Sequence, residues 1–404
     1  MRVLIASYGS RGDVQPMVAL GVALRALNID VRMCVPPDRE FVELLARNQI
    51  PLIPALASVQ QWVNQARKTG MNLPELAHVM VAGQFGILDA AARGCCAIVA
   101  TGLFPSRAAA QLVAEKHDIY FACVHFCPQY LPSPDIPPLE FPGRPHPEGV
   151  TDSESLWAFN VQVMNSLFGD AVNKHRVKIG LTPVENVRDL AFTRRPWLAS
   201  EPVLGAWHPS SLCEGVQTGA WTLHDSRPLP ADLTTFLNSG APPVYCGFGS
   251  MAMQAAPDAA RAAIEAIRAR GRRALIARGI AGLDAIDDRD DCCVIGEVNQ
   301  QALFPKVAAA IHHGGAGTTV AAAQAGIPQL IVPQVADQSY WASQVARLGI
   351  GYAHAGKVPS FASLTAGLDT ALAPLTEQRA KAIAPRIRVD GATTGAKMLV
   401  AALS

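Results

Sequence analysis

The segment from Ile311 to Thr319 carries the residue types that bind phosphate. It holds three glycines, two histidines and two threonines between an apolar run and a helical pattern. Backbone N–H groups at the start of a helix face an anion, and glycine lets the backbone come close to it. We therefore expect a phosphate cradle on a turn from strand to helix. A polar pair, Asp337 and Gln338, opens a later helical pattern.

Other nucleotide-binding signatures are missing. The turns Gly9–Gly12, Gly247–Gly249 and Gly315–Gly317 lack the full Gly-x-Gly-x-x-Gly fingerprint, which argues against a nicotinamide or flavin enzyme. No Gly-x₄-Gly-Lys-Ser/Thr loop suggests a nucleoside triphosphatase. The metal-like spacing of Asp288 and Asp290 lies in a charged run and predicts a solvated turn, so we expect neither metal nor cofactor.

Alternating strands and helices must position these residues. The predicted strands are Val3–Ala6, Val31–Val35, Ile98–Ala100, Ile119–Val124, Val244–Cys246, Ala274–Ala277, Cys292–Ile295, Ala309–Ile311, Gln329–Val332 and Gly351–Ala353. The predicted helices are Pro16–Leu27, Arg39–Asn48, Arg107–Lys116, Asp258–Ala269, Thr318–Ala325, Gln338–Leu348, Phe361–Ala373 and Thr394–Leu403. This alternation predicts an α/β fold with doubly wound parallel sheets.

Irregular segments interrupt the alternation. Ala57–Pro74 has little apolar periodicity, and Cys127–Thr151 holds eight prolines. Because long irregular segments are usually functional, we expect both to be acceptor-facing loops, with plain linkers as the alternative. Glu154–Ile179 is predicted to be a long helical stretch, either continuous or broken. Residues 202–230 form the best linker candidate.

Composition bounds the class of protein. The chain has 404 residues, half of them apolar and 17% charged, which favours two domains with buried parallel sheets. A net charge of +1 without a basic stripe argues against a nucleic-acid partner. The nine scattered cysteines indicate reduced core thiols. The first apolar run is too short for a signal peptide and no transmembrane stretch is present, so we expect a cytoplasmic protein.

Several segments in order resemble antibiotic and sterol glycosyltransferases. Gly9-Ser-Arg-Gly-Asp-Val-Gln-Pro16 looks like their opening motif. The later matching segments are Phe248–Ser250, Gly296–Gln300, His312–Thr319 and Asp337-Gln338. Four further segments resemble the glycopeptide-antibiotic (vancomycin-group) glycosyltransferases: Arg32–Asp38, Pro196–Ala199, Val216–Trp221 and Leu368–Pro374. The resemblance covers nearly the whole chain.

The resemblance implies the GT-B architecture, in which two Rossmann-like domains face each other across a cleft. Residues 1–205 would bind the acceptor, 206–230 would be a linker, and 231–385 would bind the nucleotide sugar. Residues 386–404 would form a helical segment that packs back on the first domain. The implied reaction is an inverting, metal-independent transfer from a UDP- or dTDP-sugar to a natural-product hydroxyl, such as one of a glycopeptide aglycone. We expect a monomer whose partners are these two small molecules.

Asp13 is the candidate general base, because the attacking hydroxyl must lose a proton and Asp13 follows the first strand. Its alternative role is as the N-cap of the helix near Pro16. Plant relatives carry a histidine nearby, and no histidine occurs in this loop. The residues expected to bind the donor diphosphate are Ser10, Arg11, Gly12, Ser250, His313, Gly314, Gly315, Gly317, Thr318 and Thr319. The family match favours His313 over its neighbour His312, which suits a buried structural role.

The resemblance also assigns the rest of the donor. Val298 would meet the nucleobase through its backbone, and Arg278 would form a side wall or lie on the surface. Many relatives have a stacking tryptophan where Glu297 stands, so uridine and thymidine both stay open. Asp337 and Gln338 would bind the sugar hydroxyls, with an N-cap as the alternative for Asp337.

Three alternatives remain at this stage. The aromatic residues Phe126, Tyr130, Phe141 and Trp157 suit any flat apolar acceptor, including a lipid, a sterol or a polyketide. A nucleotide-sugar epimerase of the same fold would need acid and base residues, for which Glu115, His117 and His125 are the candidates. A non-catalytic sugar-nucleotide binder is the third alternative, and Asp13 argues against it.

Overall fold

A computed structural model describes residues 1–59, 61–62, 68–249 and 256–404. The described residues divide into two compact units. The first unit comprises Met1–Ser200, Trp207–Leu223 and Val389–Ser404, and the second comprises Glu201–Ala206 and His224–Arg388. Residues 207–223, within the predicted linker, therefore belong to the first unit.

A parallel sheet forms the centre of the first unit. Its strands lie in the order β3-β2-β1-β4-β5-β6-β7. They are β1 (Arg2–Tyr8), β2 (Asp30–Val35), β3 (Leu52–Pro54), β4 (Ala97–Gly102), β5 (Tyr120–His125), β6 (Trp197–Leu198) and β7 (Val216–Gln217). Because every recorded pairing in this sheet is parallel, the carboxyl ends of all these strands lie at one edge.

Helices cover both faces of this sheet. They are α1 (Arg11–Ala26), α2 (Arg39–Arg47), α3 (Leu73–Ala91), α4 (Phe104–His117), α5 (Ser153–Lys178), α6 (Val187–Phe192) and, at the end of the chain, α14 (Gly391–Leu403). In β1, Leu4 and Ala6 point into one apolar core, whereas Val3 and Ile5 point into another. This alternation across a strand buries both faces of the sheet, as the predicted doubly wound fold requires.

The second unit repeats the architecture. Its parallel sheet has the order β10-β9-β8-β11-β12-β13. The strands are β8 (Val244–Gly247), β9 (Ala274–Ala277), β10 (Cys292–Ile295), β11 (Ala309–His312), β12 (Gln329–Ile331) and β13 (Gly351–Ala353). The helices are α7 (Ala231–Asn238), α8 (Ala256–Arg268), α9 (Gln300–Leu303), α10 (Ala316–Ala325), α11 (Gln338–Arg347), α12 (Phe361–Ala371) and α13 (Pro374–Ile383).

The C-terminal helix α14 packs within the first unit, against α1. A β-carbon added at Gly395 would stand 2.6 Å from the Trp221 ring. The helix can approach this ring so closely because the residue there is glycine. Ala396 and Leu399 bury themselves in the same core as Val14 and Met17 of α1. The last residues of the chain thus support the helix that carries Asp13.

Some elements differ from the sequence prediction. Leu73–Ala91 is a helix that we did not predict, although Asn72 and Glu75 form a capping box at its start. The stretch predicted with a possible break is one continuous helix, Ser153–Lys178. None of the nine cysteines, all of which are described, forms a disulfide. No helix in the described ranges combines the length and the apolar character of a membrane span.

Candidate active site

The second sheet reverses its strand order between β8 and β11. Ligands of open parallel sheets bind at such a reversal, beyond the carboxyl ends of the strands. Gly249 follows β8 and His313 follows β11, and the two residues meet there. A β-carbon on Gly249 would stand 3.3 Å from His313 Cε1. The left-handed φ of +57° at Gly249 also favours glycine.

His313 is held between glycines. A β-carbon at Gly315 would come within 2.6 Å of His313 Nε2. The Nδ1 atom of His313 is buried and has no hydrogen-bond partner among the described residues. Burial lowers the pKa of His313 to about 4, so the ring is neutral at pH 7 and carries one N–H donor.

His312 lies in a closed hydrogen-bond network. The Gly314 N–H donates to His312 Nδ1 at 3.0 Å, and His312 Nε2 bonds Gln329 Oε1 at 2.9 Å. The side chain is fully buried, and burial lowers its pKa to about 3. Both ring nitrogens are thus used to fix the turn that presents His313.

The turn leads into the N-terminus of α10, where Gly315 is the N-cap. The first backbone N–H groups of a helix have no intrahelical acceptor and attract anions. Gly317 and Thr318 supply two of them. Thr319 differs, because its side chain is fully buried and its hydroxyl donates to the Gly315 carbonyl at 3.0 Å. The Thr319 hydroxyl supports the turn instead of facing a ligand.

The structure brings the glycine-rich turn next to the polar pair at the start of α11. A β-carbon at Gly314 would stand 3.1 Å from the backbone oxygen of Gln338 and 2.6 Å from Ile331 Cγ2. Gly314 has a φ of +90°, which only glycine adopts readily. The predicted phosphate and sugar residues of the second unit are therefore neighbours.

Asp337 and Gln338 are fixed by their own loop. The Trp341 indole N–H donates to Asp337 Oδ2 at 2.9 Å, and Asp337 occupies the N-cap position of α11 without a side-chain cap bond. Gln338 Oε1 accepts the N–H groups of Gln334 and Val335 at 2.7 and 3.1 Å. Ala336 adopts a φ of +54°, which is strained for a residue with a side chain.

The loop after β10 is anchored by Asn299. Its amide donates to the carbonyls of Asp225 and Arg227 at 2.7 and 2.9 Å, and its oxygen accepts the Ala302 N–H at 3.1 Å. Glu297 accepts a bond from Arg227 at 3.2 Å. Val298, between them, is partly buried. This anchoring holds the Val298 backbone in one place.

Arg278 is an exposed member of the predicted donor residues. Its side chain is 58% exposed and bonds Asp284 at 3.1 Å. The loop that carries it nevertheless touches the reversal point, because the Ile280 N–H donates to the Gly249 carbonyl at 3.0 Å. Ser250 lies outside the described residues.

The first sheet has its own reversal, between β1 and β4, and Asp13 follows β1. The helix α1 begins at Arg11, with Ser10 as its N-cap, so Asp13 lies in the first turn. Asp13 Oδ2 accepts the Ser10 N–H at 2.8 Å and the Ser10 hydroxyl at 3.2 Å. The alternative of Asp13 as the N-cap is thereby wrong. A β-carbon at Gly9 would overlap Asp13 Oδ2, so glycine makes room for the carboxylate.

Comparisons with known proteins agree with these features. The family model for the C-terminal domain of erythromycin biosynthesis protein CIII-like proteins matches residues 282–397. The chain is 48% identical over 406 residues to the vancomycin aglycone glucosyltransferase of Amycolatopsis orientalis, covering 100% of this chain and 98% of that protein. The chain belongs to the vancomycin-group glycosyltransferases. The predicted family is thus confirmed.

A second relative in this group is dTDP-epi-vancosaminyltransferase of the same organism, which is 46% identical over 408 residues, with 100% of this chain and 98% of that protein covered. Among solved structures, the glycosyltransferase VinC in complex with DTDP aligns with a TM-score of 0.66 at 18% identity, covering 100% and 99% of the two chains. This vancomycin-group chain is therefore a glycosyltransferase with the GT-B fold.

In this vancomycin-group glycosyltransferase, the other predicted site residues of the first unit lie at the start of α1. Ser10 and Gly12 are exposed at the start of α1. Arg11 donates from Nε to Gln15 at 2.8 Å and lies 3.7 Å from Glu40. The pKa of Asp13 is raised, since burial disfavours its charge more than Arg107 and the Ser10 bonds favour it.

The residues offered for an epimerase do not form an acid–base set. Glu115 pairs with Arg176 at 2.7 Å, and His117 bonds Asp89 at 2.9 Å. Both lie at the end of α4, away from the carboxyl edge of the strands. His125 is fully buried and bonds Arg107. Arg107 is a residue that we missed, and its only sequence signal is a lone arginine in an alanine-rich helix.

The charged run before β10 is a structural turn. Asp287 and Asp291 clamp the Arg268 guanidinium at 2.7 and 2.6 Å, whereas Asp288 and Asp290 are exposed. Within the ranges that the structure describes, no cluster of three metal-ligating side chains occurs.

Proposed function

We propose that this enzyme moves a hexosyl group from a UDP- or dTDP-sugar to a hydroxyl of a glycopeptide aglycone, with inversion and without a metal ion. The proposed binding of the nucleotide-sugar donor rests on one observation. The Nδ1 atom of His313, at the N-terminus of α10, is buried and has no hydrogen-bond partner among the described residues. A buried polar atom without a partner is costly, and a diphosphate oxygen would complete it.

The leaving diphosphate is neutralised by fixed donors. The neutral His313 ring supplies one N–H, and the backbone N–H groups from Gly315 to Thr318 supply others with the positive end of the helix dipole, whereas the predicted donor Gly314 already gives its N–H to His312 Nδ1. Donors of this kind stabilise the developing charge without reorganising. Contacts of Ser10, Arg11, Gly12 and Ser250 with the diphosphate stay predictions.

The rest of the donor is assigned to neighbouring loops. The Val298 backbone bonds the nucleobase, and Arg278 forms a side wall if it exchanges Asp284 for the ligand. Asp337 and Gln338 bond the sugar hydroxyls. These roles are supported by the contact between Gly314 and Gln338 and by the anchoring of the loop by Asn299.

The acceptor hydroxyl is activated by Asp13. Its carboxylate takes the hydroxyl proton while the oxygen attacks the anomeric carbon and the nucleoside diphosphate leaves with the bonding electrons. One displacement inverts the anomeric centre. The raised pKa of Asp13 supports this role, because a stronger base accepts the proton more readily.

The acceptor class is inferred from relatives. The 48% identical relative is named for the vancomycin aglycone, and the 46% identical relative is named for a dTDP-linked sugar. We assign the acceptor to the first unit, with Cys127–Thr151 as a loop that selects it. In this segment the described structure has only a short 3₁₀ turn and an isolated bridge, which suits an adaptable loop.

A donor panel tests this proposal. UDP- and dTDP-sugars are incubated with glycopeptide, lipid and polyketide acceptors, and products are identified by mass spectrometry and anomeric NMR couplings. We expect an inverted glycoside of the glycopeptide and an unchanged rate in EDTA. A retained configuration, or an absolute need for Mg²⁺, contradicts the mechanism. Isomerisation of the sugar nucleotide without an acceptor indicates an epimerase instead.

A further inference from the structure

Arg107 is a buried cation beside the reversal point of the first sheet. It lies one turn into α4, which follows β4, while Asp13 lies one turn into α1, which follows the neighbouring strand β1. The Leu103 N–H donates to the Tyr8 carbonyl at 2.9 Å, and a β-carbon at Gly102 would overlap that carbonyl. The turns that follow β1 and β4 are thus hydrogen-bonded to each other, and α1 and α4 both begin at this edge of the sheet.

The Arg107 guanidinium is held by neutral groups. The residue is only 7% exposed. Its Nη1 donates to His125 Nδ1 at 2.9 Å, and its Cζ lies 5.1 Å from the centre of the Phe192 ring. Burial and the nearby arginine charges hold the pKa of His125 well below its ordinary value, so this histidine is an uncharged acceptor.

Among the described residues, no carboxylate forms an ion pair with Arg107, and its buried Nε has no hydrogen-bond partner. A buried charge without a counter-charge is unfavourable. Arg188, whose Cζ also lies 5.1 Å from the centre of the Phe192 ring, differs because it pairs with Asp189 at 2.9 Å. Arg107 therefore requires an anion from elsewhere in its surroundings.

Asp13 is the carboxylate on which the Arg107 charge acts. That charge lowers the pKa of Asp13, against the burial that raises it. Other titratable groups on the packed elements are engaged elsewhere: Tyr8 donates to the Ala57 carbonyl, and Arg11 bonds Gln15 and Glu40. Further titratable groups on or beside the packed elements include Cys123, His125, Arg188, Asp38 and Lys397.

We propose that Arg107, oriented by His125, is a positioning residue that keeps Asp13 ionised and ready to accept the proton of the acceptor hydroxyl. This rests on the proposed role of Asp13 as the base. Without Arg107, only the Ser10 hydrogen bonds oppose the effect of burial on the pKa of Asp13. In such a variant, the Asp13 carboxyl group stays protonated up to a higher pH. The variant therefore lacks the ionised base at pH values at which the native enzyme is still active.

The pH profile of kcat/KM tests the proposal. For Arg107→Met we expect the acid limb to move to higher pH, with activity on that limb reduced about 10-fold and the alkaline plateau kept within about 2-fold. Arg107→Lys retains the charge and should restore most of the native limb. Arg188→Met, which removes the other arginine on Phe192, should lower stability without moving the limb.

If a folded Arg107→Met protein has the same acid limb in its pH profile of kcat/KM as the native enzyme, the proposal is overturned. If Asp13→Asn is inactive in the same assay, the base assignment survives that failure; if Asp13→Asn is active, the proposed function itself fails. Should Arg107→Met fold poorly, a double-mutant cycle with Arg107→Gln, which also removes the charge, and Asp13→Asn, measured by urea unfolding, replaces it. Coupling between the two positions supports the proposal, and strict additivity contradicts it.

Discussion

Gly315 lies against the imidazole of His313, with room for a hydrogen but not for a β-carbon, which would stand 2.6 Å from Nε2. The backbone at Gly315 has an ordinary φ of −61°, so alanine there is excluded by the ring and not by the backbone. Gly315→Ala should displace His313 and weaken UDP or dTDP binding by about 10-fold or more, a loss of about 1.4 kcal/mol. Calorimetry measures this.

Gly86→Ala is the matched control for that substitution. Gly86 is an exposed residue of α3, and a β-carbon there meets nothing within 4 Å. Alanine should therefore leave nucleotide binding unchanged and stabilise the helix by about 0.5–1 kcal/mol. Equal nucleotide affinities for the Gly315→Ala and native proteins would show that His313 does not contact the diphosphate.

Asp337→Asn separates the sugar contact from the structural role of Asp337. Asparagine keeps an oxygen for the Trp341 indole and remains a good N-cap, so the melting temperature should hardly change. Loss of the charged acceptor should reduce kcat/KM by about 10-fold or more, since hydrogen bonds to charged groups are the stronger ones. Steady-state kinetics with the preferred donor give the answer. A kcat/KM equal to that of the native enzyme would show that Asp337 only stabilises its loop and does not bind the sugar.

The buried histidines of the second unit should make stability depend on pH. In the folded protein the pKa values of His312 and His313 are lowered to about 3 and about 4, whereas an unfolded histidine titrates near 6.5. Protons therefore bind the unfolded chain first, and stability is complete above about pH 6.5 and falls as the pH drops towards the folded values. Each histidine contributes about 1.4 kcal/mol per pH unit in that window.

Urea unfolding between about pH 7 and pH 5 measures this slope. His312→Asn, whose amide oxygen can still accept the Gly314 N–H, should lose the contribution of one histidine. The raised pKa of Asp13 acts in the opposite direction, but it belongs to the first unit and is shared by both proteins. Identical slopes for the variant and native proteins would contradict the burial argument.

The sequence predicts ten of the thirteen strands in the described residues, and the glycine-rich turn, because both are local signals; β3, β6 and β7, of two or three residues each, are not predicted. Apolar runs bounded by helices give β1, β4 and β11, and the glycines mark the turn before α10. The helix Leu73–Ala91 was missed because its apolar residues do not form one clear stripe, although its capping box was readable.

Non-local contacts account for what the sequence could not predict. The neighbourhood of Arg107 depends on β4 pairing with β1 and on His125 at the end of β5. Thr319 has the residue type of a phosphate ligand, and only the packing of α10 shows that its hydroxyl is turned inwards. Residue type and spacing thus locate the donor turn, while burial decides which side chains face a ligand.

The rate of glycosyl transfer by Asp13→Asn tests the central claim most directly. The asparagine oxygen can still accept the Ser10 N–H, so α1 should stay capped while the proton acceptor is lost. With saturating donor and acceptor, we expect the single-turnover rate to fall by a factor of about 10² or more, and the donor dissociation constant to stay within about 2-fold. A near-native rate at saturation would contradict the assignment of Asp13 as the base.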